Sequence, residues 1–249
     1  MIFIAPPELE QMTFGTLPDQ QNGLRFLSGM RRVSSVPGLS ELLRSSKLRS
    51  KKLEMLAVAE EVKNNEETDL LRSGKENQPV EVDQISLSFK SDDRKVLIGE
   101  KSSLKDYREH APMARFIFFA QAKSSDTGGF LLNGEELTLS EMASMTLKAK
   151  LVVITAHSDA QVQQRRVHAL LNAGARNVLV FDWSLPNKVK RAMLDKMFES
   201  LLRDEPIAEA IAKISKLSLG LPTKNGVKAN GPGSWGALHL YGYPDRIGN

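Results

Sequence analysis

Short, nearly continuous apolar runs recur along the chain at Ile2 to Ala5, Leu53 to Val58, Val96 to Ile98, Phe116 to Ala120, Leu151 to Thr155 and Val178 to Phe181. Each is bounded by polar or turn-forming residues. A strand with one wet face would alternate apolar and polar positions, so these runs predict strands covered on both faces. Between them, Val189, Met193, Met197 and Leu201, with Ala192, Leu194 and Phe198, recur at steps of three and four and predict an amphipathic helix. A second helix is expected from about Gln161 to Ala173, stopped by Gly174, which takes a left-handed cap conformation without steric cost. The chain then re-enters the sheet over Arg176 to Asp182. Strands alternating with helices predict an α/β fold: a three-layer sandwich around a mostly parallel central sheet of about six strands.

Two stretches break this rhythm. Residues 60–78 are rich in Glu, Asn, Lys and Ser, and residues 222–234 carry Gly226, Gly231, Pro232 and Gly233; both predict surface loops. There is no internal repeat of the kind that builds a solenoid. The 249 residues, 41% hydrophobic and 26% charged, suit a single domain over 1–249. The net charge of +4 comes from 34 basic against 30 acidic residues, too even a balance to imply nucleic acid as a partner. No run approaches the roughly 18 consecutive apolar residues a bilayer span needs. The opening Met1 to Pro7 lacks the charged flank of a signal peptide, so no membrane association and a cytoplasmic location are expected. The cysteine count of zero changes the picture most: disulfides, thiolate metal sites and thiol nucleophiles are all excluded.

Several segments, in one order along nearly the whole chain, resemble a known family. Ile4-Ala5-Pro6 followed by Met12 to Asp19 is similar to a strand, a Pro-containing turn and a "PF-x-x-LPD" stretch. Arg32 to Leu39 resembles a "vsyvPS" strand-to-helix junction, and Val96 to Ser103 a "vl-x-G-x-x-A/S" unit. Ala173 to Trp183 echoes "aGa-x-s-V-v-x-s-l-W", followed by Phe198 and Leu201 where the pattern has "FY-x-x-L". Trp235 to Pro244 looks like the closing "W-a-a-f-x-l-x-G-x-P". The family is the CHAT domain, a caspase-like peptidase domain often found behind tetratricopeptide repeats. The resemblance implies a caspase-like sandwich and a helical-repeat region upstream.

An active site of that kind needs an imidazole at one strand end and a thiol at the end of its neighbour. The family's imidazole lies in "a-T-H-g", matched here by Ala120-Gln121-Ala122-Lys123, so Ala122 takes the place of the base. Its thiol lies in "l-S-A-C-x-T-G", matched by Ile154 to Ala160, so His157 takes the place of the nucleophile. The acidic residues after the family's Trp align with Pro186 and Asn187 in Trp183-Ser184-Leu185-Pro186-Asn187. The resemblance therefore implies a pseudopeptidase, not an enzyme. Its crevice would be lined by Gln121, Ala122, His157, Ser158, Asp159, Trp183 and Asn187, and it would serve as a peptide-binding scaffold or regulatory module.

Other side chains admit sharper readings that the sequence supports less well. Ser158 and Asp159 beside His157 superficially complete a triad, but triads are assembled by geometry and not by adjacency. A rebuilt hydrolase would set Ser124 or Ser125 against His157 across the strand ends, and no orienting carboxylate is evident. His110, His157, His168 and His239 show no paired ligand spacing, so no metal or other cofactor is expected. His168 suits a polar helix face and His239 the final strand. Arg44, Lys47, Arg49, Lys51 and Lys52 form the densest basic cluster, which reads as a solvated helix end because no aromatic residues are interleaved to stack bases. Lys188, Lys190 and Arg191 read the same way. The methionines, Met142, Met193 and Met197 among them, are expected mostly in the core.

Overall fold

The computed structural model describes residues 2–4, 34–36, 53–59, 82, 85–120, 124–155, 159–182, 185, 187–218 and 237–242. The six apolar runs become β1 (Ile2–Ile4), β3 (Leu53–Ala59), β4 (Arg94–Ile98), β5 (Ala114–Ala120), β8 (Leu151–Ile154) and β9 (Asn177–Phe181), strands of one sheet that also takes in β2 (Ser34–Val36) and β10 (Leu238–Gly242). A separate two-stranded hairpin is formed by β6 (Phe130–Leu132) and β7 (Glu135–Leu137). The helices are α1 (Leu104–His110), α2 (Leu139–Ser144), α3 (Ala160–Asn172), α4 (Asn187–Leu202) and α5 (Ile207–Ser218).

The large sheet has eight strands in the order β1-β2-β10-β9-β8-β5-β3-β4. The six expected strands are β1, β3, β4, β5, β8 and β9, and β2 and β10 bring the sheet to eight. Every described pairing is parallel except that of β9 with β10. Alternation within each strand divides its side chains between two apolar faces. In β5, Ile117 and Phe119 join one core while Phe116 and Phe118 join the other; β3 divides likewise into Leu56 and Val58 against Met55 and Ala57. Helices α1, α2 and α3 and the hairpin cover the first face, through Tyr107, Met142, Val167, Leu170 and Phe130. Helices α4 and α5 cover the second through Met193, Met197, Phe198 and Ile211. A three-layer α/β sandwich results.

Size is matched across strands. On the second face the small Ala57 pairs in register with Phe118, and Phe118 meets Phe198 edge-on at 6.3 Å. Phe89 and Phe116 close the same aromatic group, each about T-shaped or tilted to its neighbours. On the first face Phe119 stacks on Phe130 at 4.3 Å and lies 5.6 Å from Tyr107, joining strand, hairpin and α1 in one aromatic column.

Gly174 stops α3 as expected. Its φ of +104° is left-handed, and a Cβ there would lie 2.7 Å from the Leu147 carbonyl oxygen. The neighbouring turn returns two amides to the helix: Gly174 N–H donates to Leu171 and Ala175 N–H to Leu170. At the other end, Asp159 accepts from the Gln161 amide at 2.8 Å. Met142, Met193 and Met197 lie in the cores and His239 lies in β10, as expected. The loops expected at 60–78 and 222–234, and the basic cluster from Arg44 to Lys52, lie outside the described residues. Among those described, no helix is long and apolar enough to cross a membrane.

Phe119 is fully buried at the centre of its aromatic column. Phe119→Ala is expected to lower unfolding free energy by about 3–5 kcal/mol, read from urea denaturation. A loss under about 1 kcal/mol would show that the column relaxes around the cavity.

Candidate functional site

Parallel strands β5 and β8 lie side by side, with Phe119 opposite Ile154. The last rung joins the Thr155 amide to the Phe119 carbonyl at 3.0 Å, and the Thr155 hydroxyl adds a longer bond to the same oxygen. This rung lies at the carboxyl end of the sheet, the end where parallel α/β sheets form binding crevices. Gln121 and Ala122 follow β5 directly, and His157 and Ser158 follow Thr155; these four and Trp183 lie outside the described residues. Asp159 is described and caps α3. Asn187 opens α4 just past β9. The sequence-predicted positions therefore issue from the ends of three adjacent strands, β5, β8 and β9.

What the structure describes best is a brace in the turn after β5. The segment after β5 forms a turn in which Ser125 N–H donates to Gly129 and Gly128 N–H to Ser125. Arg166 of α3, 0% exposed, donates from Nε to the Gly128 carbonyl at 2.8 Å and from one terminal nitrogen to Gly129 at 2.8 Å and to the Ser124 hydroxyl at 2.6 Å. Its guanidinium stacks over Phe130, 4.2 Å from the ring centroid. Burial brings its pKa down to about 10, still charged at neutral pH. A side chain at Gly129 would collide with the Leu137 carbonyl at 2.3 Å, so only glycine lets the hairpin close this tightly. Arg166 thus joins α3, which follows β8, to the turn that follows β5.

The hydroxyls of that turn are engaged. Ser125 Oγ donates to Glu136 Oε1 at 2.6 Å, and Thr127 Oγ1 donates to the same oxygen. These two bonds, Ser125 first, hold the Glu136 carboxyl below the ordinary glutamate value. The Ser124 hydroxyl accepts from Arg166.

Three features escaped the sequence reading. The hairpin carries Asn133-Gly134, both left-handed, a turn signal that was available. His239 Nδ1 lies 3.6 Å from Asp182 Oδ2 at the end of β9, with its ring stacked on Tyr241 at 4.2 Å. Asp106, Glu109 and His110 on α1 bring one donor atom each within 4.8 Å of one another. A search for paired histidines alone misses that last group. Asp106, however, is already used at the helix start: its carboxylate accepts from Ser103 Oγ at 2.5 Å, and its amide donates to the same hydroxyl, which caps the helix.

Comparison with family models matches the CHAT domain over residues 1–243. The chain belongs to the CHAT domain family. Solved structures agree on the fold. Separase from Saccharomyces cerevisiae, in its complex with securin, superposes with a TM-score of 0.55 at 14% identity, over 91% of this chain and 14% of that one. The Arg-specific cysteine proteinase gingipain R superposes with a TM-score of 0.56 at 10% identity, over 93% of this chain and 59% of that one. Comparison with curated protein sequences gives no match. The CHAT sheet described above is thus of the caspase-like kind. The chain spans only a small part of separase and about three fifths of gingipain.

Arg166→Met removes the donors of two buried carbonyls and is expected to cost about 3 kcal/mol, with faster amide exchange at Ser125 and Gly128 than elsewhere in the core. Hydrogen-exchange mass spectrometry measures both. Glu136→Gln tests the second lock. A carboxyl held below its ordinary value of 4.5 stabilises the fold fully above that pH, and the contribution fades as pH falls through the lower folded-state value. The difference in urea midpoint between variant and wild type is therefore expected to be full at pH 7 and to close in acid. A gap unchanged at low pH would assign it to packing.

Proposed function

We propose that this CHAT domain is a catalytically inactive pseudopeptidase that binds a protein or peptide at the carboxyl end of its sheet. The observation that carries the reading is the absence of any cysteine in a chain that belongs to the CHAT family; the resemblance implies that the family's base and nucleophile positions fall just after β5 and β8. At those positions stand Ala122 and His157. An imidazole there cannot form the thioester on which a cysteine peptidase depends. Trp183, Gln121, Ser158, Asp159 and Asn187 would complete a crevice suited to holding an extended segment without cleaving it. The separase relative is seen with a bound protein partner, securin, which fits a binding role for the shared scaffold.

The family match over 1–243 supports reading the chain as one domain. We further infer a cytoplasmic setting and a helical-repeat region upstream, in keeping with the family. A hydrolase rebuilt on Ser125 and His157 is disfavoured because the Ser125 proton is given to Glu136 on the hairpin. The basic cluster from Arg44 to Lys52 supplies no comparable reason to expect nucleic acid.

Two measurements test the reading. Purified protein is expected to show no turnover of fluorogenic peptides, including those with Arg at the cleaved bond, and no labelling by a fluorophosphonate probe. Reproducible turnover or labelling of folded protein would overturn the inactive assignment. Pull-down with wild type and with a Trp183→Ala, His157→Ala double variant is expected to return partners that only wild type retains. Identical partners for both would move the binding surface away from the crevice.

A further inference from the structure

The large sheet ends on β4, whose five residues pair with β3 alone among the described residues. Alternate residues of an edge strand turn their N–H and C=O groups away from the sheet, where a further strand can take them up. Proteins that avoid such pairing blunt the edge with proline, a bulge or charge. β4 contains no proline, and its register with β3 runs unbroken from Arg94 to Ile98. Of its two cations, Arg94 is turned back on the preceding segment, donating to the carbonyls of Ser86 at 2.8 Å and Phe89 at 3.4 Å. That leaves Lys95 to guard the edge.

The flank of this edge is apolar. Leu97 is buried in the first core, whereas Val96 and Ile98 pack against the second and stay part-exposed. Near the start of the strand, Leu87 follows Ser86, whose carbonyl accepts from Arg94, and is 66% exposed. Half-covered apolar side chains beside open backbone groups are what an added strand would bury.

The charges around β4 select the occupant. When an edge strand pairs antiparallel with its own copy the contact is isologous, so residue i faces j and j faces i. Directly opposed side chains lie on one face of the joined sheet, so a single residue sits on the two-fold axis. Centring on Lys95 sets that lysine against itself. Centring on Val96 sets Asp92 against Glu100 and Arg94 against Ile98, and centring on Ile98 sets Lys95 against Lys101. Centring on Leu97 sets Val96 against Ile98, Arg94 against Glu100 and Asp93 against Lys101, apolar on apolar and acid on base. Asp93, Glu100 and Lys101 lie in the short helical turns that flank the strand, where side chains can meet across the rim of such a contact.

We propose that β4 is the contact by which two copies of this chain join edge to edge, antiparallel about Leu97, so that their sheets run on as one. The contact lies beyond β3, away from the ends of β5, β8 and β9, and so does not depend on the reading of the crevice. A five-residue strand with its flank makes a small interface, so the pairing is reversible and set by concentration.

The test combines sedimentation velocity of the full chain with hydrogen exchange, both over a range of concentrations at low ionic strength, where exposed pairs are least screened. Wild type is expected to pass from monomer to dimer as concentration rises, with amide exchange over Arg94 to Ile98 slowing in step. Lys101→Asp brings two acids together at each end of the contact and is expected to raise the dimer Kd by about threefold or more. Adding Asp93→Lys restores opposite charges and is expected to return the Kd to near the wild-type value, a rescue that a folding defect would not show. A chain that stays monomeric at every concentration would overturn the proposal, and β4 amides protected in that monomer would assign the edge to another segment of the same chain. A dimer whose β4 amides exchange at one rate at all concentrations, or a Kd that Lys101→Asp leaves unchanged, would overturn it equally.

Discussion

Burial of the central sheet on both faces is the constraint from which the rest of the molecule follows. Strands such as β5 and β8 have no wet side, so each backbone amide and carbonyl must find its partner in a neighbouring strand, and each face must be roofed by helices. Only the two ends of the strands remain available to polar chemistry. The carboxyl end becomes the crevice, and the amino end collects Glu54, Arg115, Lys150 and Arg176. The two ends are therefore separated by a dry core.

The same dryness makes Arg166 informative. A guanidinium fully removed from solvent is costly unless its donors are used, and here they close a turn in which a side chain at Gly129 would collide with the Leu137 carbonyl. Fold families of peptidases hold their reacting groups on strand-end loops, which need a rigid support. In this CHAT domain Arg166, Ser124, Ser125, Thr127 and Glu136 are all engaged in the turn after β5, and the chain has no cysteine.

Much of the sheet was legible in the sequence because a doubly buried strand leaves an unbroken apolar run. Leu53 to Val58 and Val178 to Phe181 were found within a residue or so of β3 and β9. The helix ahead of Gly174 was legible because its stop is a property of one residue. Short elements were less visible: β6, β7, α1 and α2 have too few residues for a period to emerge, although Asn133-Gly134 marked the hairpin turn. The crevice residues were reached through family resemblance, since nothing in the spacing of Ala122, His157 and Trp183 announces a site. Arg166 looked like an ordinary charge on a helix, because its burial depends on Gly128, Gly129 and Ser124 arriving from a distant segment.

By itself, then, the sequence determined the alternation of strand and helix, the family, and the exclusion of thiol chemistry, because these rest on local pattern and on the presence or absence of a residue type. Only the tertiary structure decided which strands are neighbours and that a buried arginine braces the turn after β5. Register between strands far apart in the chain is set by packing across the whole sheet, and no local stretch of residues carries it.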